Sequence, residues 1–193
     1  DRIADHQGAL TNTVWSEGIV GNSIELNGTD SRILIPHSDD FNAADQDKTI
    51  VGWVKMKSPS SAHIFDHYVG GSNTGGWLLW IPSNGTVNLR HSDDNEGLCE
   101  GPSNCDINIS EPGILNDLEW HQIAAVFESK AIAKLYVDGE ESGSEDYKQL
   151  RDYGGALTLG GDTSLEYMSL DGFVDEFAIY NEALTEDAIA ALY

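Results

Sequence analysis

Along the chain, β-branched, aromatic and aliphatic residues alternate with polar ones in short runs, and Gly, Asn, Asp, Ser and Pro separate the runs. A two-residue period puts successive side chains on opposite faces of a pleated strand, whereas almost no stretch carries a long 3.6-residue period. The pattern predicts strands at Ser23 to Leu26, Arg32 to Ile35, Thr49 to Lys57, His63 to Tyr68 and Trp77 to Ile81. Further strands are predicted at Thr86 to His91, His121 to Glu128, Ala131 to Val137, Ala156 to Leu159 and Gly172 to Tyr180. Asn84-Gly85, between WLLWIPS and TVNLRHS, and Asp138-Gly139, after KLYVD, tolerate the positive φ of tight hairpin turns. Strands so spaced and so joined predict an all-β, two-sheet antiparallel sandwich. One short helix is expected near the end, where Thr185 caps, Glu186 and Asp187 complement the dipole, and Leu184 packs on Ile189.

The length of 193 residues fits one domain with a sizeable core. The chain starts without Met, and its first residues, DRIADHQG, contain no basic segment followed by an apolar one, so it is expected to be a single domain excised from a larger extracellular protein. Ten Lys and Arg stand against 33 Asp and Glu, net −23, a surface that repels phosphate backbones and anionic headgroups. Nucleic acid and membrane surfaces are therefore excluded as favoured partners. A hydrophobic fraction of 40% argues against disorder. Cys99 and Cys105 flank EGPSN, a turn-rich spacer that lets the two thiols meet in a local disulfide; free thiols and half of a metal site are the alternatives. A disulfide fits an oxidising, extracytoplasmic location. The two long, weakly patterned stretches, Ser92 to Leu118 and Glu140 to Tyr153, are expected to be loops of the kind that carry binding residues.

The succession GNSIELNGTDSRILIP, TIVGWVK, EWHQIAAVF, AKLYVDGE, LTLGG and LDGFVDEFAIYNEALTEDAIAALY resembles the laminin-G-like, concanavalin A-like jelly-roll superfamily. The resemblance runs nearly end to end. It implies a curved pair of antiparallel sheets, often with one structural calcium, used for binding more than for catalysis. It also implies where such an ion would sit, because Asp30, in the LNGTD turn, and Asp175, in GFVDE, match positions that carry carboxylates in calcium-containing relatives. Backbone oxygens around Asn27 and Gly28 would complete the oxygen shell that calcium requires. The alternative is that Asn27-Gly28 is only a turn and Asp175 a surface strand residue.

Signatures of catalysis are absent: the chain has no G-x-S-x-G, G-x-G-x-x-G, H-E-x-x-H or EF-hand loop. It also lacks the E-x-D-x-E triplet by which glycosidases of this general fold aim three carboxylates from one strand face. The expectation is a non-enzyme. Sugar binding needs an aromatic ring to face the apolar side of a pyranose, with polar groups around it. The richest supply lies between Tyr68 and Asp94, where Tyr68, Trp77 and Trp80 offer rings and Asn73, Arg90, His91 and Asp93 offer hydrogen bonds. Trp77 and Trp80 fall on opposite strand faces, so one of them at most is expected to meet a ligand, and burial of both is the alternative. His63 and His67 are expected on one face with Phe65, too far apart along a strand for one ion, and are either surface residues or donors lining a groove. His121 is expected to be structural, and DGEESGSED to be a solvated loop. The resulting expectation is a secreted, calcium-stabilised binding module for a glycan or polysaccharide. The alternative is a structural or protein-adhesive module whose partner is a cell-surface protein.

Overall fold

The computed structural model describes residues 6–43, 46–69, 75–93, 107–147, 155–162 and 168–193, with the side chains at 92, 93, 107 and 108 left aside. Cys99, Cys105 and Asn73 lie outside the described residues. In chain order the first strands are β1 (Ala9–Thr11), β2 (Val14–Glu17), β3 (Asn22–Asn27), β4 (Arg32–Ile35), β5 (Lys48–Met56), β6 (Ala62–Asp66) and β7 (Gly75–Ile81). They are followed by β8 (Val87–Asp93), β9 (Ile107–Glu111), β10 (His121–Glu128), β11 (Ile132–Val137), β12 (Glu140–Asp146), β13 (Leu157–Leu159) and β14 (Asp171–Tyr180). A single α-helix, α1 (Glu186–Leu192), comes last among the described residues. The strands make two seven-stranded antiparallel sheets, ordered β1-β4-β13-β6-β7-β8-β9 and β12-β11-β10-β5-β14-β3-β2. The two-sheet sandwich expected from the alternation is therefore the fold.

Inward rows of the two sheets meet in one core, with Ile24, Leu26, Ile50, Val54 and Met56 facing Ile64, Phe65, Trp77, Leu79 and Leu89, all buried. A smaller cluster of Val51, Ala124, Val126 and Tyr136 lies on the outer face of the second sheet, where Ile189 of α1 covers it. Seven residues are too few for a helix to persist alone in water, so α1 depends on this packing and on its cap. The Thr185 hydroxyl accepts from the Ala188 N–H at 3.3 Å, and Leu184 packs against the same cluster. The β7–β8 turn needs Gly85, whose φ is +76° and whose missing Cβ leaves room for Asn116. Asp138 and Gly139 both have positive φ and turn β11 into β12.

Two expectations about elements are corrected. DGEESGSED is not a solvated loop: Glu140 to Asp146 pairs with β11 as an edge strand, with a bulge at Leu135/Tyr136. Its charges carry no apolar alternation because one side faces water, and they also block pairing with another sheet edge. The second correction concerns β1, β2 and β9, which are too short or too polar to stand out as runs. Lys48 is fully buried at the start of β5, its ammonium donating to the Asp40 carbonyl at 2.8 Å and to Asn181 Oδ1 at 2.7 Å.

Candidate functional site

The outer face of the first sheet gathers polar and aromatic side chains from β6, β7 and β8. Antiparallel register sets His63, Trp80 and Asn88 in one row across the three strands, and Asp66, Leu78 and Arg90 in the next. Directly opposed residues in such rows have neighbouring Cβ atoms, so each row is a contact set. His63 Nδ1 lies 2.8 Å from Asp66 Oδ2, and Asp66 Oδ1 accepts from the Tyr68 N–H at 2.7 Å. Asp66 is only 4% exposed, so its carboxylate is committed to these contacts and fixes the His63 ring beside Trp80. Trp80 is half-buried and Arg90 is exposed, with its guanidinium 5.7 Å from the centroid of the Tyr68 ring. The arrangement offers a half-buried indole with a positioned imidazole and an exposed guanidinium near it, while Asn88 is buried and its amide donates to the Thr86 carbonyl at 3.4 Å.

Of the residues expected to bind, Tyr68, Trp80 and Arg90 come together here. Asp93 pairs with Gly75 at the end of β8. Trp77 is a core residue, not a platform: it is 0% exposed and its indole N–H donates to the Phe41 carbonyl at 2.8 Å. His91 is likewise turned inward, 1% exposed and 6.4 Å from the Phe127 ring, because it shares the inward parity of Val87 and Leu89. His63 of β6 and His67, one residue past its end, do not share a face. A bulge between His63 and Phe65 shifts the parity, leaving His63 outside while His67 is buried against Phe41 and Trp77. The His63–Asp66 contact and Asn88 were not among the expected binders. Their signal was weak, since a bulge has no mark in binary pattern and Asn88 is one polar residue in an alternating strand.

The model Laminin_G_3, described as the concanavalin A-like lectin/glucanases superfamily, matches residues 27–190. The chain belongs to this family. No curated protein matches it in sequence. Among solved structures, this laminin-G-like chain is similar to the binding domain of Paraclostridial Mosquitocidal Protein 1, at 17% identity and TM-score 0.73, covering 97% of this chain and 47% of that one. It is also similar to the binding domain of Botulinum Neurotoxin DC in complex with SialylT, at 14% identity and TM-score 0.72, covering 98% and 47%. A third similar structure is domain 4 of AbnA, a GH43 extracellular arabinanase from Geobacillus stearothermophilus, in complex with arabinotriose, at 19% identity and TM-score 0.67, covering 94% and 81%. The chain spans about half the length of the two toxin domains. At these identities the likeness is one of fold. Among the described residues no helix is long and apolar enough to cross a membrane.

In this laminin-G-like domain the residues expected to share a calcium ion do not form one set. Asn27 pairs with Asp171 in the β3–β14 register, and Asp175 stands four residues further along β14, about 13 Å away. The Asp30 carboxylate instead accepts from the side-chain amides of Asn27 at 2.8 Å and Asn12 at 2.9 Å. Asp175 Oδ2 accepts from the Ile19 and Val20 N–H groups at 2.9 and 3.2 Å, and its Oδ1 from the Glu176 N–H at 2.9 Å. Asp175 thus stands apart from Asp30 and is no plain surface residue; it clamps the β2–β3 loop onto β14. Only glycine fits at position 18, where a Cβ would collide with that carboxylate.

His121, expected to be structural, bridges two carboxylates. Its Nε2 is 3.0 Å from Asp117 Oδ1 and its Nδ1 2.7 Å from Asp138 Oδ2. Burial disfavours the imidazolium, but the bonds and charges of Asp117 and Asp138 outweigh it and raise the His121 pKa above its ordinary 6.5. The Asp117 pKa falls below its ordinary 3.8, chiefly through its bond to His121. This network pins the β10 start to the Asp138-Gly139 turn and lies on the second sheet, away from the Trp80 face.

Proposed function

We propose that this domain is a non-catalytic, extracellular carbohydrate-binding module that holds a saccharide against Trp80 on the outer face of the first sheet. The observation that carries the reading is the half-buried Trp80 ring set in register between His63 and Asn88, with the Arg90–Tyr68 pair one row away. The ring supplies the apolar platform, and the imidazole and guanidinium supply hydrogen bonds to hydroxyls. Two similar domains, known in complex with SialylT and with arabinotriose, support a sugar as the ligand class. With a net charge of −23, neutral saccharides are preferred over polyanionic ones. A shallow, solvated face of this kind gives affinities of about 1 μM to 1 mM.

A glycan array followed by titration of the best saccharide tests this. Trp80→Ala is expected to weaken binding by about tenfold or more, a stacking loss of about 1.4 kcal/mol, with the melting temperature nearly unchanged. If Trp80→Ala, Tyr68→Ala and Arg90→Ala all bind a confirmed glycan as the wild type does, the site is elsewhere. The adhesive alternative draws on one observation, the exposed apolar group of Val14, Trp15 and Val20 at the β2 edge, where Trp15 is 64% exposed. An array with no positive glycan favours that alternative.

A further inference from the structure

The outer face of the second sheet carries its own aromatic row, on the part that α1 leaves uncovered. Register sets Val14, Glu25, Phe173 and Lys55 side by side across β2, β3, β14 and β5. Trp120 comes one residue ahead of His121, which pairs with Val54, so its place in the row is beside Lys55. Ring, ammonium, ring, carboxylate and methyl groups thus alternate from the start of β10 to the edge strand β2. None of these residues is buried. One row nearer α1, Trp53 is stacked on Tyr193, with ring centroids 5.5 Å apart and planes 17° apart, which closes that side.

Strand spacing puts β10 and β14 about 10 Å apart, with β5 between them. The Trp120 and Phe173 centroids are only 6.0 Å apart, at an interplanar angle of 50°, so the two rings lean toward each other over the Lys55 position. Lys57 also holds Phe173 in place. Its Nζ lies 5.7 Å from the ring centroid and is bound by Glu25 Oε1 at 2.9 Å and Asp171 Oδ1 at 3.1 Å. Asp175, in the next row, is held by the backbone N–H groups of Ile19, Val20 and Glu176. Lys55 differs from all of these. It has no hydrogen bond, ion pair or ring contact among the described residues, whereas Arg32, Lys48, Lys57, Arg90 and Lys134 are each engaged. In a chain with 33 Asp and Glu, an ammonium that stands between two rings and takes no carboxylate of the chain is open to one from outside.

We propose that this row is a second saccharide site, for a pyranose that carries a single carboxylate, a uronic acid unit. The apolar side of the sugar lies against Trp120 and Phe173, the carboxylate meets Lys55, and Glu25 accepts from a hydroxyl. An ammonium–carboxylate contact at a surface contributes little by itself, so stacking supplies most of the affinity and Lys55 the choice of the acid over the neutral sugar. A run of uronic acids is repelled by the net charge of −23, and one such unit among neutral sugars is the form that fits. The row lies on the opposite side of the sandwich from Trp80 and does not depend on that face. A domain with both sites bridges two glycan chains.

The test is a titration of the whole chain with methyl β-D-glucuronide and methyl α-D-galacturonide, each beside its neutral glycoside, followed by indole and backbone amide resonances. Saturable shifts are expected at Lys55, Trp120 and Phe173 with at least one uronide, at an affinity about threefold above that of its neutral counterpart. Lys55→Gln is expected to bring that ratio to about one with the melting temperature unchanged, and Trp120→Ala to weaken both sugars by about tenfold. Lys55 has no partner to lose, so its variant decides the matter even if Trp120→Ala fails to fold. Equal affinity for acid and neutral sugar in the wild type would overturn the proposal, as would a preference that survives Lys55→Gln. Absence of saturable shifts at this row with either uronide would overturn it too, and shifts confined to the Trp80 face would do so while leaving the first site standing. Shifts at Trp120 with none at Trp80 would support this site and count against the first.

Discussion

A single histidine links two sheet segments through charge, and its protonation sets a pH dependence. The His121 pKa is raised in the folded chain, so its contribution is fully present below its unfolded value of about 6.5 and is lost as pH rises through the higher folded value. Asp117, lowered by the same bond, contributes above about 3.8 and loses that contribution as pH falls through its folded value. Denaturant unfolding of wild type and His121→Gln is expected to differ most between the unfolded values of Asp117 and His121, about 3.8 and about 6.5, and the difference is expected to shrink as pH rises through the raised folded pKa of His121. A difference that stays constant through that rise would show that the imidazole acts as a neutral hydrogen-bonding group. At this scale strand parity separated Trp77 from Trp80 in advance, because three positions along a strand change face. His63 and His67 were not separable in advance, since the bulge that splits them follows from pairing with β7.

At the scale of elements, the β2–β3 loop is held by one carboxylate of β14. Asp175→Ala removes the acceptor of three part-buried backbone N–H groups on exposed residues, at an expected cost of about 1 kcal/mol. Thermal unfolding is expected to show the same loss with and without a chelator, and amide exchange at Ile19 and Val20 is expected to quicken. A loss that appears only when calcium is present would restore Asp175 as a ligand. The clamp and the helix differ in legibility. Thr185, Leu184 and Ile189 are close in sequence, so cap and contact could be read directly, whereas Asp175 meets a loop some 155 positions earlier. The β12 edge illustrates the reverse case, a strand hidden in a charged sequence because its pairing with β11 stabilises it more than its own pattern does.

For the molecule as a whole, a net charge of −23 on 193 residues means that carboxylates repel one another over the surface. Ion pairs are few among the described residues, with Lys57 bridging Glu25 and Asp171 and Lys134 holding Glu128. Raising sodium chloride from about 0.02 M to about 0.5 M shortens the screening length and is expected to raise the melting temperature by about 3–6 °C. A melting temperature that falls with salt would mean that the attractive pairs outweigh the repulsion.

The sequence by itself determined the two-sheet architecture, the opposite faces of Trp77 and Trp80, the hairpin turns and the capped final helix. These follow from period-two alternation, turn chemistry and contacts between near neighbours, all local. Tertiary structure alone decided that Asp30 and Asp175 stand apart, that Trp77 is buried while Trp80 faces outward, and that His63 meets Asp66 outside while His67 turns inward. Each of these depends on the register between strands distant in sequence or on a bulge within one, and a one-residue shift in either changes which face a side chain occupies.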